Sequence, residues 1–199
     1  MPKVLYSPPS PYSAKVRMAA RRAGIAFESV LVDTNADPNL LIDANPLGKI
    51  PVFVTDEGEA IYDSRAITQY LNRESKNALF PRNPARRTEA ERMEALADGL
   101  TDCLLAHVLE RRFHSEEKVE QKWLDRQWSK VERVLDIWNA NPPKLPARIH
   151  AGHLAVRAAI SYLDLRFPGK WEKGRGKLRR WAKRFDEKFP ELSEYLAKT

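Results

Sequence analysis

The chain has 199 residues, of which 43% are hydrophobic and 31% are charged, an ordinary composition for a globular protein with ample core. The formal net charge of +7 favours anionic ligands, and the single cysteine, Cys103, excludes an intramolecular disulfide. No run reaches the length of about eighteen apolar residues that a membrane span needs, and the first residues lack a secretory pattern. We therefore expect a cytoplasmic protein without membrane attachment.

The first 76 residues alternate between strand and helix patterns. In chain order we predict a strand at Val4–Ser7, a helix at Tyr12–Ala23, a strand at Phe27–Val32, a short helix at Pro38–Asp43, strands at Val52–Val54 and Glu59–Tyr62, and a helix that begins at Asp63-Ser64. This order is compatible with a small mixed sheet covered by helices.

The pattern changes after residue 76. Residues 77–85 hold two prolines and an isolated Leu79-Phe80 pair, which is typical of a linker held in place by one apolar contact. Beyond it only helical periodicity remains, and we predict helices at Pro84–His114, Glu117–Asn139, Gly152–Phe167, Gly174–Phe189 and Pro190–Lys198. The sequence thus predicts an α/β domain at residues 1–76, a linker at 77–85 and an all-α domain at 86–199.

Residues 45–71 are the most informative stretch for function. Pro51 opens a short apolar strand; a proline cannot donate to the ladder and is a common place for a cis peptide bond. We therefore expect a cis Ile50-Pro51 bond that leaves the Ile50 backbone groups free to pair with an extended peptide. Asp63-Ser64 stands at a helix start, where hydroxyl and N–H donors can bind a carboxylate. Taken alone, that pair is more often an ordinary helix cap.

These motifs resemble the glutathione-binding half of the cytosolic glutathione S-transferases of bacterial type. The resemblance extends through residues 5–12, 97–99 and 161–168, so it covers nearly the whole chain. It implies a thioredoxin-like domain followed by a helical domain, glutathione as co-substrate, a detoxifying transferase activity, a small electrophilic substrate and a homodimer. It also implies that Ile50 and Pro51 align the glutathione cysteine, and that Asp63 and Ser64 bind the γ-glutamyl group.

In the thioredoxin-like fold the chemistry lies between the first strand and the first helix, and here that position reads Ser10-Pro11-Tyr12-Ser13. Because there is no sulfur, dithiol exchange and mixed disulfides are excluded at this site. The resemblance to serine-type members implies that Ser10 donates to the glutathione sulfur. Tyr6 is the alternative, since tyrosine-type members place a catalytic phenol at the end of the first strand. A plain helix cap remains the structural interpretation of Ser10.

Other patterns carry less functional information. The electrophile pocket is expected from the fourth helix and the C-terminal segment, with His107, Arg111 and Trp171 as candidates. Residues 169–188 hold nine Lys or Arg against three acids, interleaved with tryptophan. Helical spacing of the aromatic residues favours a solvated basic face over a nucleic-acid site. His150 and His153 have no partners for a metal site, and they stand where the family usually carries a capping box.

The resemblance implies a serine-type glutathione transferase, and we expect no metal. The alternative is a non-catalytic glutathione-binding or interaction module of the same fold. A maleylacetoacetate-type isomerase fits less well, because Ser10-Pro11-Tyr12 lacks the further hydroxyl and thiol expected beside the serine.

Overall fold

A computed structural model describes all residues from Met1 to Thr199. The first part contains β1 (Lys3–Tyr6), α1 (Pro11–Ala23), β2 (Glu28–Leu31), α2 (Asn39–Ala44), β3 (Val52–Val54), β4 (Ala60–Tyr62) and α3 (Ser64–Glu74). The second contains α4 (Pro84–Phe113), α5 (Gln121–Ala140), α6 (Ala151–Arg166) and α7 (Gly176–Lys188), with short 3₁₀ helices at Glu116–Lys118 and Pro190–Tyr195. None of the helices is both long and apolar enough to cross a bilayer.

The four strands form one mixed sheet in the order β2-β1-β3-β4. β1 pairs with β2 in parallel, while β3 is antiparallel to both β1 and β4. Helix α2 packs on one face, where Leu5, Leu41 and Val52 are fully buried. Helices α1 and α3 cover the other face, and their core continues into the helical bundle. The predicted α/β and all-α fold class is confirmed, with its four strands and long helices in the predicted order.

The linker segment is tied to both parts of the chain. Leu79 and Phe80 are buried, and both of their backbone N–H groups donate to the Asn72 side-chain oxygen, at 3.1 and 2.8 Å. The Leu79 carbonyl accepts from the backbone of Ala151 at 2.9 Å, so the linker also holds the start of α6. The domain boundaries at residues 76 and 86 stay a prediction.

The basic C-terminal segment places its aromatic residues in the core. Trp181 and Phe185 of α7 are buried, as the helical spacing predicted, and Trp171 is only 2% exposed. Helix α5 begins at Gln121 rather than at Glu117, because residues 116–118 form a 3₁₀ turn and the Glu120 carboxylate accepts from the Lys122 N–H at 3.1 Å.

Candidate glutathione site and a cationic cleft

Three segments meet at one end of the sheet. The β3–β4 register pairs Val52 with Tyr62, so the preceding Ile50-Pro51 lies beside Asp63-Ser64. The β1–β3 register pairs Leu5 with Val52, which brings the end of β1 and the turn after it to the same place. The sheet register therefore brings the candidate residues within 45–71 close to the turn between β1 and α1.

Ser10 is the N-cap of α1. Its backbone is extended, with φ −77° and ψ 117°, and its Oγ accepts a hydrogen bond from the Ser13 N–H at 3.1 Å. Pro11 occupies the first turn, where its missing N–H costs nothing. Because Oγ accepts from the backbone, the hydroxyl proton remains available for donation to another atom. The helix N-terminus adds partial positive charge at this position.

Tyr6 is the last residue of β1, and its environment differs from that of Ser10. Strand alternation puts it on the same sheet face as Val4, in the core beneath α1. The Arg17 guanidinium lies 4.1 Å from the Tyr6 ring centroid and 4.8 Å from that of Tyr195. The ring is therefore packed between the sheet and the C-terminal segment, whereas Ile50 packs with the cluster on the opposite face.

The Ile50-Pro51 peptide bond is cis, as predicted. Neither the N–H nor the C=O of Ile50 has a backbone hydrogen-bond partner. The buried Asn45 amide organises this segment, since it donates to the Lys49 carbonyl at 2.8 Å and accepts from the Leu47 N–H at 3.2 Å. The result is an unpaired backbone edge that an extended peptide can bind.

Asp63 and Ser64 form the start of α3. Asp63 is exposed and has a φ of +69°, an uncommon conformation that aspartate tolerates better than most residues. Its carboxylate accepts from the Arg65 N–H at 2.8 Å, and Ser64 is the first helical residue and is buried. The cap interpretation is thus correct as local structure.

A buried charge network behind this site was missed by sequence reasoning. Lys15 is 1% exposed and contacts both oxygens of Asp98, at 2.9 and 2.8 Å, and Glu94 at 3.2 Å. Arg65 donates to Asp98 at 2.8 Å, and Thr68 donates to Glu94 at 2.8 Å. Burial raises the pKa of Glu94, and Lys15 opposes that rise. The network joins α1 and α3 to α4.

A weak signal for this network exists in the sequence. Glu94 and Asp98 are four residues apart and therefore share one face of α4, where they alternate with buried Ala97 and Thr101. Carboxylates within a buried stripe require a cation. Nearby, the Tyr12 hydroxyl donates to Asp102, and burial followed by this bond raises the pKa of Tyr12 well above its ordinary value.

His107 and Arg111 line one cleft of about 510 Å³, formed where α4, α5 and α6 end or begin. The other lining residues are Val108, Arg112, Gln121, Arg166, Phe167 and Lys170. Trp171 is no wall of this cleft: its side chain is packed in the main core, because the chain turns inward after Lys170. The assignment of His107, Arg111 and Trp171 to an electrophile pocket stays a prediction.

A mixed sheet with a cis-proline just before its third strand, followed by a helical bundle, is the architecture of glutathione transferases. Residues 9–74 match the family model for the glutathione S-transferase N-terminal domain. An uncharacterised GST-like protein of Escherichia coli, YibF, is 34% identical over 171 residues, which cover 82% of this chain and 83% of that protein. The chain belongs to the glutathione S-transferase family.

Solved structures show the same likeness over nearly the whole length. A glutathione S-transferase from Methylobacillus flagellatus with glutathione bound is 34% identical, with a TM-score of 0.86 and coverage of 96% of this chain and 98% of that one. A glutathione S-transferase from Methylobacterium radiotolerans in complex with glutathione sulfonate is 29% identical, with a TM-score of 0.89 and coverage of 100% and 96%.

Proposed function

We propose that this protein is a glutathione transferase that conjugates the glutathione thiolate to a small electrophile. The observation that carries the proposal is the unpaired Ile50 backbone edge before cis Pro51, which lies beside the N-terminus of α3. The glutathione cysteine pairs with the Ile50 backbone, and the γ-glutamyl carboxylate takes the Ser64 hydroxyl and the N–H groups of the helix start. Asp63 holds the γ-glutamyl ammonium.

The chemical step requires glutathione as a thiolate. A free thiol has a pKa of about 8.5, so at neutral pH most of it is protonated. Donation from the Ser10 hydroxyl, together with the partial charge of the α1 N-terminus, stabilises the anion. The thiolate electron pair forms the S–C bond, and the leaving group departs with the electron pair of the bond that breaks. The thiol proton goes to solvent.

The environments of the two candidate donors favour Ser10 over Tyr6. Ser10 lies at a helix N-terminus, and its proton is free of its own backbone contact. Tyr6 is partly buried, and its ring packs against Arg17 and the core beneath α1. Ser10→Ala should lower kcat with an electrophile by about tenfold or more while glutathione binding changes little. Tyr6→Phe should leave the rate nearly intact.

The test combines calorimetric titration with glutathione and a steady-state panel of electrophiles. The proposal is supported if the unmodified protein binds glutathione and turns over an electrophile, and if Ser10→Ala loses that turnover. Full activity in Ser10→Ala with loss in Tyr6→Phe transfers the role to the tyrosine. Binding of glutathione without turnover of any electrophile identifies the alternative, a non-catalytic glutathione-binding module. Absence of glutathione binding overturns both.

The remaining inferences concern assembly and location. We propose that the protein is a cytoplasmic homodimer with a detoxifying role, which its family membership supports. Light scattering of the purified protein tests the dimer. A measured mass equal to that of one chain at micromolar concentration would contradict the proposed homodimer.

A further inference from the structure

A groove between α7 and the chain before α6 is lined by four cationic side chains. It has a volume of about 480 Å³, and its two walls are residues 142–145, which follow α5, and one face of α7. Lys144 lies on the first wall, and Lys177, Arg180 and Arg184 lie on the second. Positions three and four residues apart share one face of a helix, so the three α7 cations form one row.

Both carboxylates of α7 are paired with cations outside the groove. Asp186 accepts two hydrogen bonds from Arg157, at 2.7 and 2.8 Å, and Glu187 lies 3.7 Å from Lys183. None of the four groove cations forms an ion pair with a carboxylate. Like charges around one concavity repel each other, so an anion placed among them is attracted by all four.

The wall formed by residues 142–145 is fixed to the helices beside it. Three successive backbone carbonyls of this wall accept hydrogen bonds from side chains of α6 and α7. The bonds run from Trp181 Nε1 to Pro143 at 2.6 Å, from His153 Nε2 to Lys144 at 2.8 Å and from Lys188 Nζ to Leu145 at 2.9 Å. The groove is therefore formed before any ligand binds, and a preformed site lowers the ordering cost of binding.

The row of cations on α7 is short. It begins one residue after the start of the helix, and Lys188, the next position on the same face after Arg184, donates to the Leu145 carbonyl instead. The row from Lys177 to Arg184 therefore spans about 10 Å along the helix axis. A single-stranded nucleic acid needs a basic surface that follows several nucleotides, whereas small-molecule sites have volumes of about 300 to 1,000 Å³. The extent of the groove favours a small anion.

The spacing of the cations matches an anion with several charges. Arg180 and Arg184 are one helical turn apart, about 6 Å along the axis, and Lys177 lies about 4.5 Å before Arg180. A single carboxylate would leave most of these cations without a partner. Linked phosphates offer one anionic group after another, and a guanidinium binds a phosphate through two parallel hydrogen bonds.

We propose that this groove binds a small molecule with two or more linked phosphate groups. Arg180 and Arg184 bind neighbouring phosphates, and Lys177 and Lys144 neutralise the remaining charge. The ligand is either a free polyphosphate or the phosphate chain of a nucleotide, and both present the same chemistry. The site does not rest on the proposed transferase function, because the groove shares no residue with the candidate glutathione site or with the cationic cleft that His107 lines.

The first probe is inorganic tripolyphosphate, and its matched control is inorganic orthophosphate, which carries the same group once. Both are titrated calorimetrically into the full-length protein at neutral pH and low ionic strength, without divalent cations. We expect tripolyphosphate to bind more tightly by about tenfold or more, because each additional charge-assisted hydrogen bond accounts for about that factor. Equal affinity for the two anions would overturn the proposal.

Two neighbouring arginines of α7 provide matched variants that locate the binding. Arg180→Gln removes a cation of the groove, whereas Arg179→Gln removes the exposed cation beside it, which does not line the groove. We expect Arg180→Gln to weaken tripolyphosphate by about tenfold and Arg179→Gln to weaken it by less than about twofold. Equal losses in the two variants would mean that the overall charge attracts the probe and would overturn the assignment.

Two further probes distinguish the sources of the ligand. If adenosine triphosphate binds more tightly than tripolyphosphate, the ligand is a nucleotide, and if it binds equally or more weakly, the ligand is a free polyphosphate. A short single-stranded oligonucleotide that binds more tightly than both, with a loss in Arg180→Gln, would overturn the proposal in favour of a nucleic-acid surface. Since none of these titrations requires turnover, a failed transferase assay and a failed phosphate site give distinct results.

Discussion

The candidate glutathione site and the cationic cleft are built from different kinds of information. The first uses backbone geometry within residues 45–71: a cis-proline, the unpaired backbone groups of Ile50 and a helix start. The second uses side chains from α4, the end of α6 and the segment after it, at positions that are mostly exposed. Backbone geometry restricts which residue types can occupy each position, so the first site can be recognised as a motif in the sequence. Exposed cationic side chains can line a cleft from many different positions, so the second site has no sequence motif.

The contrast is not absolute, because the first site depends on a long-range contact. Lys15 of α1 and Arg65 of α3 both reach Asp98, which is 83 residues beyond Lys15 in the chain. The start of α3 is therefore positioned against α4 by charged side chains that are distant in the sequence. The predictions below separate the local contribution from the long-range one, beginning with the largest effect.

Lys15→Met should lower the free energy of unfolding by about 3 kcal/mol or more. The substitution keeps the apolar stem but leaves Glu94 and Asp98 buried without the ammonium that compensates them. Urea denaturation monitored by circular dichroism measures the loss. Lys3→Met is the matched control, since that lysine is exposed and only 4.0 Å from Glu28, and it should cost less than about 0.5 kcal/mol. Similar losses in the two variants would contradict a structural role for the network.

Asp63→Ala combined with Ser64→Ala should weaken glutathione binding by about a hundredfold, close to 3 kcal/mol. The double change removes a carboxylate and a hydroxyl from the α3 start, where we place the γ-glutamyl group. Isothermal titration calorimetry measures the affinity. Glu74→Ala, an exposed acid at the other end of α3, should bind glutathione like the unmodified protein. Unchanged affinity in the double variant would mean that glutathione does not bind at the start of α3.

Sequence patterns predicted the fold well where a local rule applied. Alternation predicted the strands, Gly24 ended α1 in a left-handed conformation, and Pro51 is cis. They failed where distant side chains decide the outcome. The sequence did not indicate that the Trp171 side chain is packed in the main core. Nothing near Lys15 indicates that its partners lie on α4, since charge pairing across the fold has no fixed spacing.

The free energy of unfolding should fall as the pH drops below about 6.5. Burial lowers the pKa of His150 to about 3, with help from the charge of His153, and burial also lowers the pKa of His153. Below about 6.5 the unfolded chain binds protons at these residues while the folded chain does not, so protonation favours unfolding. Above that pH both states are neutral and the dependence vanishes.

Urea denaturation at a series of pH values from about 7.5 to about 5 measures this slope. His150→Asn should make the slope smaller, because it removes one of the three histidines, His107, His150 and His153, whose pKa is lowered in the folded protein. An identical slope in His150→Asn and the unmodified protein would show that other groups cause the acid sensitivity.

The smallest effect concerns the cap of α6, the helix that carries Arg166 to the cationic cleft. His150 has the extended backbone of an N-cap, with φ −123° and ψ 174°, and the His153 Nδ1 accepts from its N–H at 3.3 Å. The other half of the capping box is weak, since the His150 Nδ1 is buried without a partner. His150→Asn should place a side-chain oxygen where it can accept from the helix N–H groups. It should raise the free energy of unfolding at neutral pH by about 0.5 to 1 kcal/mol.

His150→Leu is the matched control for that prediction, because it keeps an apolar body of similar size and provides no acceptor. It should be no more stable than the unmodified protein, and its difference from His150→Asn isolates the capping hydrogen bond. Equal stability of the two variants would mean that α6 is held mainly by its contacts with α4 and by the hydrogen bond from the Ala151 N–H to the Leu79 carbonyl. In that case the element that carries Arg166 is positioned by long-range packing alone, and the contrast between the two sites becomes sharper.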